Sequence, residues 1–177
     1  MPPLTRVAID ANCVTYLVEA LEAIREPTDA LAPQRKALTW LLFRGNPALC
    51  TVPANEDEVA AIKDRAKKQQ HLSWLSVAFP TCVSLDSDAI AAQTCAYLTA
   101  HNELKDCRAV AEASSAGCVA YLTNDARLIS HLVAYARPLK ICRPSEYWAN
   151  LAVPKGFPPK WAPDALSPLA EQPWIRW

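Results

Sequence analysis

Short apolar runs alternate along this chain with longer segments whose apolar residues recur at helical spacing. Residues 4–9 (LTRVAI) are short, apolar and partly β-branched, which is typical of a strand buried in a parallel sheet. After them, Val14, Leu17, Val18 and Leu21 follow i, i+3, i+4, i+7 spacing and share one face of a helix. The chain is therefore predicted to open with a strand and an amphipathic helix.

The same alternation continues to residue 150. Further strands are predicted at 48–52, 81–85, 118–122 and 139–142. Helices are predicted at 33–45, at 54–70, over the ambiguous segment 71–80, at 87–101, at 106–116, after residue 125, and from 144 to 150. Strand–helix alternation of this kind predicts a three-layer α/β/α fold, in which helices cover both faces of a central, mainly parallel sheet.

The composition changes at residue 153. Residues 153–177 hold six of the 15 prolines and three of the six tryptophans. We therefore divide the chain into a body, 1–152, and a Pro/Trp-rich C-terminal extension, 153–177. Proline disfavours a long helix or an interior strand, and exposed indole rings would leave much apolar area in water. We expect the extension to cross the body as an extended strap; the alternative is docking on a second subunit or an inhibitor.

Composition and charge exclude several classes of function. The 18 basic and 18 acidic residues cancel, which excludes a strongly cationic nucleic-acid-binding surface over the whole protein. The 3 glycines stand apart, so neither a P-loop nor a GxGxxG motif exists. Residues 1–10 lack a long apolar stretch and the longest uncharged stretch, 69–85, contains His and Pro, so we expect neither a signal peptide nor a membrane span.

The seven cysteines are scattered, odd in number and never arranged as C-x-x-C. Most lie in apolar runs such as ALCTV and AGCVAYL, where cysteine behaves as a small hydrophobic residue. No histidine has a partner at zinc-ligand spacing, so we expect no zinc site from Cys and His. The pattern indicates a reduced, cytoplasmic protein.

Four acidic residues fall where an open parallel sheet binds its ligands, beyond the carboxyl ends of the strands. Asp10 follows the first strand, Asp125 follows the strand at 118–122, and Asp106 opens the helix between them. Glu58 lies early in the helix after the second strand, with Glu56 as the alternative. Each aspartate has the alternative role of a helix N-cap, and Glu58 that of a solvated surface residue.

Carboxylates that converge at one sheet edge repel one another, at a cost on the order of 4 kcal/mol for each close pair. Such an arrangement requires protonation or a bound cation, and oxygen ligands suit Mg²⁺ or Mn²⁺. The chemistry this supports is metal-assisted hydrolysis of a phosphodiester.

Three motifs resemble those of PIN-domain nucleases. Ile9-Asp10-Ala11-Asn12 is similar to that family's opening strand and Asp-x-Asn element, and TVPANEDEV to the region of its second acidic residue. The run DCRAVAEASSAGCVAYLTND, 106–125, resembles the part that holds the third and fourth acidic residues. The resemblance covers about residues 4–150. It implies a divalent-metal-dependent ribonuclease whose catalytic and metal-binding residues are Asp10, Glu58, Asp106 and Asp125.

The resemblance also implies an RNA substrate, a toxin–antitoxin pair with a protein antitoxin that covers the acidic site, and a homodimer. Asn12 is predicted to orient Asp10 through a hydrogen bond, and Glu112 to be solvated. Other candidates beside the carboxylates are Thr123 and Asn124, and candidates for RNA phosphates are Lys63, Lys67, Arg108 and Arg127. For the lysines, a solvated helix face is the alternative.

Two other functions stay open. A catalytically silent PIN-like scaffold would bind RNA or protein, although such domains usually lose one or more of the acidic residues. A phosphotransfer or phosphatase domain that uses Asp10 as nucleophile would need a second aspartate where Asn12 stands or a lysine at a strand end, and the sequence has neither.

Overall fold

The structure, a computed structural model, describes residues 5–177. In this part of the chain four strands form one all-parallel sheet in the order β2-β1-β3-β4. They are β1 (Arg6–Ile9), β2 (Ala48–Cys50), β3 (Ala120–Leu122) and β4 (Lys140–Cys142). The predicted strand 4–9 thus corresponds to β1, with Leu4 outside the described residues. In β1, Ile9 pairs with Leu122 of β3, so these two strands end side by side.

Helices cover both faces of the sheet. The described residues contain eight α-helices, α1 (Ala11–Ala23), α2 (Ala32–Arg44), α3 (Pro53–Ala60), α4 (Arg65–Ala78), α5 (Ser87–Tyr97), α6 (Leu104–Ser115), α7 (Ala126–Leu132) and α8 (Pro144–Asn150). Because successive strand residues face opposite ways, Val7 and Ile9 pack with α1, α2 and α8, whereas Ala8 packs with α5, α6 and α7. The fold is therefore α/β with a parallel sheet between helices, as the alternation predicts. Within residues 5–177, none of the helices has both the length and the apolar composition that crossing a bilayer requires.

The region between β2 and α5 departs from the prediction. The single helix expected at 54–70 is two helices, because Asp64 accepts a hydrogen bond from the Lys67 amide and starts α4 anew. Residues 71–78 continue α4 instead of forming a separate helix. The strand predicted at 81–85 is reduced to one bridge between Thr81 and Thr51. Its apolar side chains, Val83 and Leu85, are 60% and 97% exposed and do not contribute to the core.

The C-terminal extension packs against α1, α2 and α8. Trp174 is buried and packs with Ala20 and Phe43, and its carbonyl accepts a hydrogen bond from Trp40 Nε1 at 2.8 Å. The Trp177 ring lies 4.6 Å from Trp40 and 5.4 Å from Trp148, measured between centroids. The C-terminal extension contains two short 3₁₀ helices, Pro168–Glu171 and Pro173–Ile175.

Not every aromatic ring of the extension is inserted in a groove. Trp161 remains 59% exposed and Phe157 49% exposed. The Trp161 amide nevertheless donates to the Phe43 carbonyl, and its indole lies against Gly45, where an added Cβ would overlap the ring. Gly45 ends α2 with a positive φ, so glycine serves both the helix end and the close approach of the extension.

Candidate functional site

The site is built around Asp10, at the carboxyl end of β1. The Asp10 amide donates to the Leu122 carbonyl at 2.9 Å, which fixes this residue beside the end of β3. Asp10 occupies the N-cap position of α1, yet its side chain makes no capping hydrogen bond. Its carboxylate instead accepts a hydrogen bond from Thr123 Oγ1 at 2.8 Å. The carboxylate is therefore directed toward the end of β3 rather than used to start the helix.

Thr123 is the residue that orients Asp10. Thr123 is fully buried, and its hydroxyl also accepts a hydrogen bond from the Asp125 backbone amide at 3.1 Å, which links the Asp10 carboxylate to the backbone of Asp125. Asn12 does not have the predicted role: it is exposed, and within residues 5–177 its side chain makes no hydrogen bond to Asp10. The reason is that Asn12 lies on the outer face of the first turn of α1. Asn124, between Thr123 and Asp125, is half-buried.

Glu58 and Asp106 lie close enough to Asp10 for their charges to raise its pKa. Burial raises the pKa of Asp10 from its usual 3.8 to about 6, and repulsion by Glu58 and Asp106 adds to this rise against the opposing hydrogen bond from Thr123. Burial also raises the pKa of Glu58, and the charge of Asp106 raises it further, against the opposing charge of Lys105. Three of the four predicted carboxylates therefore share one electrostatic environment.

Glu58, and not Glu56, is the acidic residue of α3 that faces this environment. The Glu56 carboxylate accepts a hydrogen bond from Thr81 Oγ1, toward the segment that follows α4. Glu58 lies close enough to Asp10 and Asp106 for the charges of these groups to act on one another. The surroundings of the two residues therefore favour Glu58 over Glu56, the alternative that the sequence leaves open.

Asp125 lies at the exposed margin of the site. One of its oxygens accepts hydrogen bonds from the Arg127 amide at 2.7 Å and the Leu128 amide at 3.1 Å. This is the N-cap role that the sequence leaves open as the alternative for each aspartate. Both roles are compatible for Asp125, because the cap occupies only one carboxylate oxygen.

A buried network positions α3 and with it Glu58. Asn55 Nδ2 donates to the Ile9 carbonyl at 2.6 Å, and the Tyr121 hydroxyl donates to Asn55 Oδ1 at 3.3 Å. Glu112 of α6 accepts a hydrogen bond from the Ala54 amide at 2.8 Å, in the first turn of α3. The prediction that Glu112 is solvated is wrong: it is buried, because α3 packs over this part of α6 and needs an acceptor there.

Arg108 completes this network. Its Nε donates to Glu112 at 2.7 Å and its Nη1 to Asp57 at 2.9 Å, so it joins α6 to α3. The residue predicted to contact RNA is thus held in ion pairs within the protein. Arg127, the other arginine candidate, is exposed and donates to Asn102 Oδ1 at 2.9 Å.

Lys63 and Lys67 are exposed, but not on the helix that carries Glu58. Lys63 lies between α3 and α4, and Lys67 in the first turn of α4. The helix break at Asp64 therefore separates these basic residues from Glu58 along the chain.

The sequence pattern did not point to His101, which holds Asp106. His101 is buried, and its Nε2 lies 2.9 Å from Asp106 Oδ2. Its Nδ1 lies 3.3 Å from Nδ1 of His131, on α7. His101 thus contacts Asp106 through one ring nitrogen and His131 through the other, and this chain of three groups fixes the orientation of Asp106. Histidine and aspartate are only five positions apart, but nothing in that spacing distinguishes a hydrogen-bonded pair from two surface residues.

The donors at this site suit a hard divalent cation. Among residues 5–177, no Lys or Arg forms an ion pair with Asp10 or Glu58. The carboxylate oxygens are not so close that three lie within 4.8 Å of one another, as three direct ligands of one ion would. Mg²⁺ typically binds one or two carboxylates and keeps several waters, and Mn²⁺ has similar preferences. The residues therefore fit a hydrated Mg²⁺ or Mn²⁺ better than a closed protein cage.

Comparison with known protein families and with curated proteins gives no match to this chain. The fold and the site define an α/β protein in which a buried aspartate lies at the carboxyl edge of a parallel sheet, with two further acidic residues near it. The chemistry of the pocket is inferred from the carboxylates that it brings together and from their surroundings.

Replacing Glu112 by alanine is expected to destabilise the protein by about 2–4 kcal/mol, because it leaves the Ala54 amide and Arg108 without their buried partner. Urea unfolding measures the loss. Glu103→Ala, at the exposed start of the same helix and without a capping hydrogen bond, is the matched control and should change stability by less than about 1 kcal/mol. Equal effects of the two substitutions would contradict the role given to Glu112.

Proposed function

We propose that this protein is a divalent-metal-dependent endoribonuclease that hydrolyses RNA phosphodiester bonds and belongs to the PIN-like nucleases. The observation that carries the proposal is the buried Asp10 carboxylate, whose pKa is raised to about 6 and which has Glu58 and Asp106 beside it. A pocket of this kind accumulates negative charge that a bound cation would offset. The all-parallel sheet between helices and the order of the acidic motifs support the PIN-like assignment.

Asp10, Glu58 and Asp106 are the proposed ligands of Mg²⁺ or Mn²⁺, with Asp125 contributing from the margin. When bound, the cation activates a water and offsets charge on the phosphoryl oxygens. Thr123 contacts one oxygen of Asp10, and His101 contacts one oxygen of Asp106. Both carboxylates are therefore oriented before the cation or RNA binds. Such fixed orientation reduces the reorganisation that the reaction requires.

Contacts to RNA are proposed for exposed basic residues near this edge. Arg127 follows the Asp125 cap, while Lys63 and Lys67 lie beyond the end of the Glu58 helix. These side chains would neutralise phosphates without reading the base sequence. Because Arg108 is already held by Glu112 and Asp57, we assign it to positioning α3 rather than to contact with RNA.

By the same resemblance, we propose that the protein acts in the cytoplasm as the toxin of a toxin–antitoxin pair. A protein antitoxin would cover the acidic pocket, and the toxin would form a homodimer. A catalytically silent PIN-like scaffold is the competing function. It is favoured by the observation that, within residues 5–177, no three carboxylate oxygens lie within 4.8 Å of one another.

The test is cleavage of structured and unstructured RNA with Mg²⁺ or Mn²⁺ by a matched pair of variants. Glu58→Gln is expected to lower cleavage at least about 100-fold, because it removes a charge from the proposed ligand set. Glu56→Gln, two positions away on the same helix, should retain wild-type activity, since its side chain contacts Thr81. Cleavage products are followed by gel electrophoresis.

Activity that survives EDTA would contradict metal dependence. Wild-type activity in the Glu58→Gln variant would show that Glu58 is not a ligand of the proposed cation. Metal-independent RNA binding without cleavage by the wild-type protein would instead support the scaffold function.

A further inference from the structure

Three cysteines from distant parts of the chain meet on the face of the sheet that α6 covers. The Sγ atoms of Cys50, Cys82 and Cys118 all lie within 4.8 Å of one another. Cys50 ends β2, Cys82 follows the bridge between Thr81 and Thr51, and Cys118 precedes β3. None of the three belongs to the acidic pocket. We call this set the thiol cluster.

The spacing of the thiol cluster is that of ligands to a metal rather than of a disulfide. Cys50 Sγ and Cys118 Sγ are 3.8 Å apart, nearly twice the S–S bond length of about 2.05 Å. Two thiolates that share a tetrahedral zinc ion, each with a Zn–S distance of about 2.3 Å, are separated by about 3.8 Å. The pair already has the separation that a shared ion requires.

The sulfur atoms of the thiol cluster contact one another directly. Cys50 Sγ and Cys118 Sγ lie within hydrogen-bonding distance, and either thiol can donate to the other. A thiolate is the form of cysteine that binds metals.

The cluster is buried but lies just below the surface. Each of the three cysteines is less than one tenth exposed. Cys82 is followed by the exposed Val83, and Cys118 is preceded by the exposed Gly117. Exposed residues therefore flank two of the three cysteines, and an ion bound by three protein ligands leaves a fourth position that a water can occupy.

We propose that Cys50, Cys82 and Cys118 form a binding site for a thiophilic d¹⁰ cation such as Zn²⁺, separate from the Mg²⁺ or Mn²⁺ pocket. Binding releases the protons of the thiols that are still protonated and involves no change of oxidation state. The ion cross-links β2, β3 and the segment after α4. Within residues 5–177, this segment has one backbone bridge to the sheet, at Thr81, and one side-chain hydrogen bond to α6, between Ser84 and Ser115. The ion would add a further attachment to β2 and β3.

The test uses the reduced, EDTA-treated full chain with Mg²⁺ in excess, titrated with Cd²⁺ or Zn²⁺. We expect a cadmium–thiolate charge-transfer band, one equivalent of Zn²⁺ by elemental analysis, and a rise in Tm of about 5–10 °C at one hundred times the Kd. Cys118→Ala should abolish the band and the uptake. Cys142→Ala removes a buried cysteine outside the cluster and should change neither.

Cys82→Ala serves as a second variant, because its segment lies outside the helices and strands and the substitution leaves both strands intact. Asp10→Asn should keep the cadmium band, which separates this site from the acidic pocket. No band in the reduced wild-type protein would overturn the proposal, as would unchanged uptake in both Cys118→Ala and Cys82→Ala. A Cys50–Cys118 disulfide in the purified protein, with no metal uptake after reduction, would also overturn it.

Discussion

Asp10→Asn is expected to lower the rate of RNA cleavage at least about 1000-fold and to make the metal-free protein more stable at neutral pH. The loss of activity follows from removal of the carboxylate at the centre of the proposed metal site. The gain in stability follows because the folded protein holds this carboxylate with its pKa raised to about 6. Ionising it in the folded state rather than the unfolded state costs on the order of 3 kcal/mol.

The pH dependence of this gain has a defined sign. Between its ordinary pKa of 3.8 and about 6, Asp10 binds more protons in the folded protein than in the unfolded chain. The free energy of unfolding of the metal-free wild type therefore falls as pH rises through this window, and the penalty is complete above it. The Asp10→Asn variant has no titrating group at this position, so the two proteins should differ little at about pH 4 and by about 1–3 kcal/mol at neutral pH.

Thermal unfolding in EDTA across this pH range measures the difference, expected as a rise in Tm of about 2–10 °C. Asp88→Asn, an exposed aspartate in the first turn of α5, is the control and should show no such gain. Adding Mn²⁺ should raise the Tm of the wild type but not of the variant. Retained cleavage would remove Asp10 from catalysis, and a large loss of stability would mean that Asp10 has a structural role.

Trp174→Ala is expected to lower the free energy of unfolding by about 3–5 kcal/mol, because it leaves a cavity where the extension packs on α1 and α2. The indole also donates to the Ile24 carbonyl at 3.4 Å. Urea unfolding of the isolated chain measures the loss. Trp161→Ala removes the same side chain from the same extension, but at a position that is 59% exposed, and should cost less than about 1 kcal/mol.

Deleting residues 153–177 extends this test. The deletion removes Trp174 and also Trp177, which packs against Trp40 and Trp148, so Tm should fall further than in Trp174→Ala. Unchanged stability together with loss of self-association would instead support docking of the extension on a second subunit. Metal binding should survive in either case, because the acidic residues precede the extension.

The fold class follows from local patterns that one sequence contains. All four strands of the sheet lie within predicted segments, because short apolar runs between helices of this length have few other ways to be buried. Asp10 and Asp125 follow the neighbouring strands β1 and β3, and parallel strands direct both toward the same edge. The pattern between β2 and α5 predicts the structure less well. The Asp64 cap and the exposure of Val83 and Leu85 depend on where α4 lies relative to the sheet, which hydrophobic periodicity does not specify.

What the sequence by itself determined is therefore the alternation of elements, the placement of Asp10 and Asp125 after neighbouring strands, and the presence of a compositionally distinct extension. Only the tertiary structure decided that Glu58 is near enough to Asp10 to act on its charge whereas Glu56 contacts Thr81, and that Glu112 is buried. It also decided that His101 holds Asp106 and that three scattered cysteines meet. The physical reason is that hydrophobic periodicity specifies which face of an element is buried, whereas a polar contact depends on which groups other segments place opposite that face.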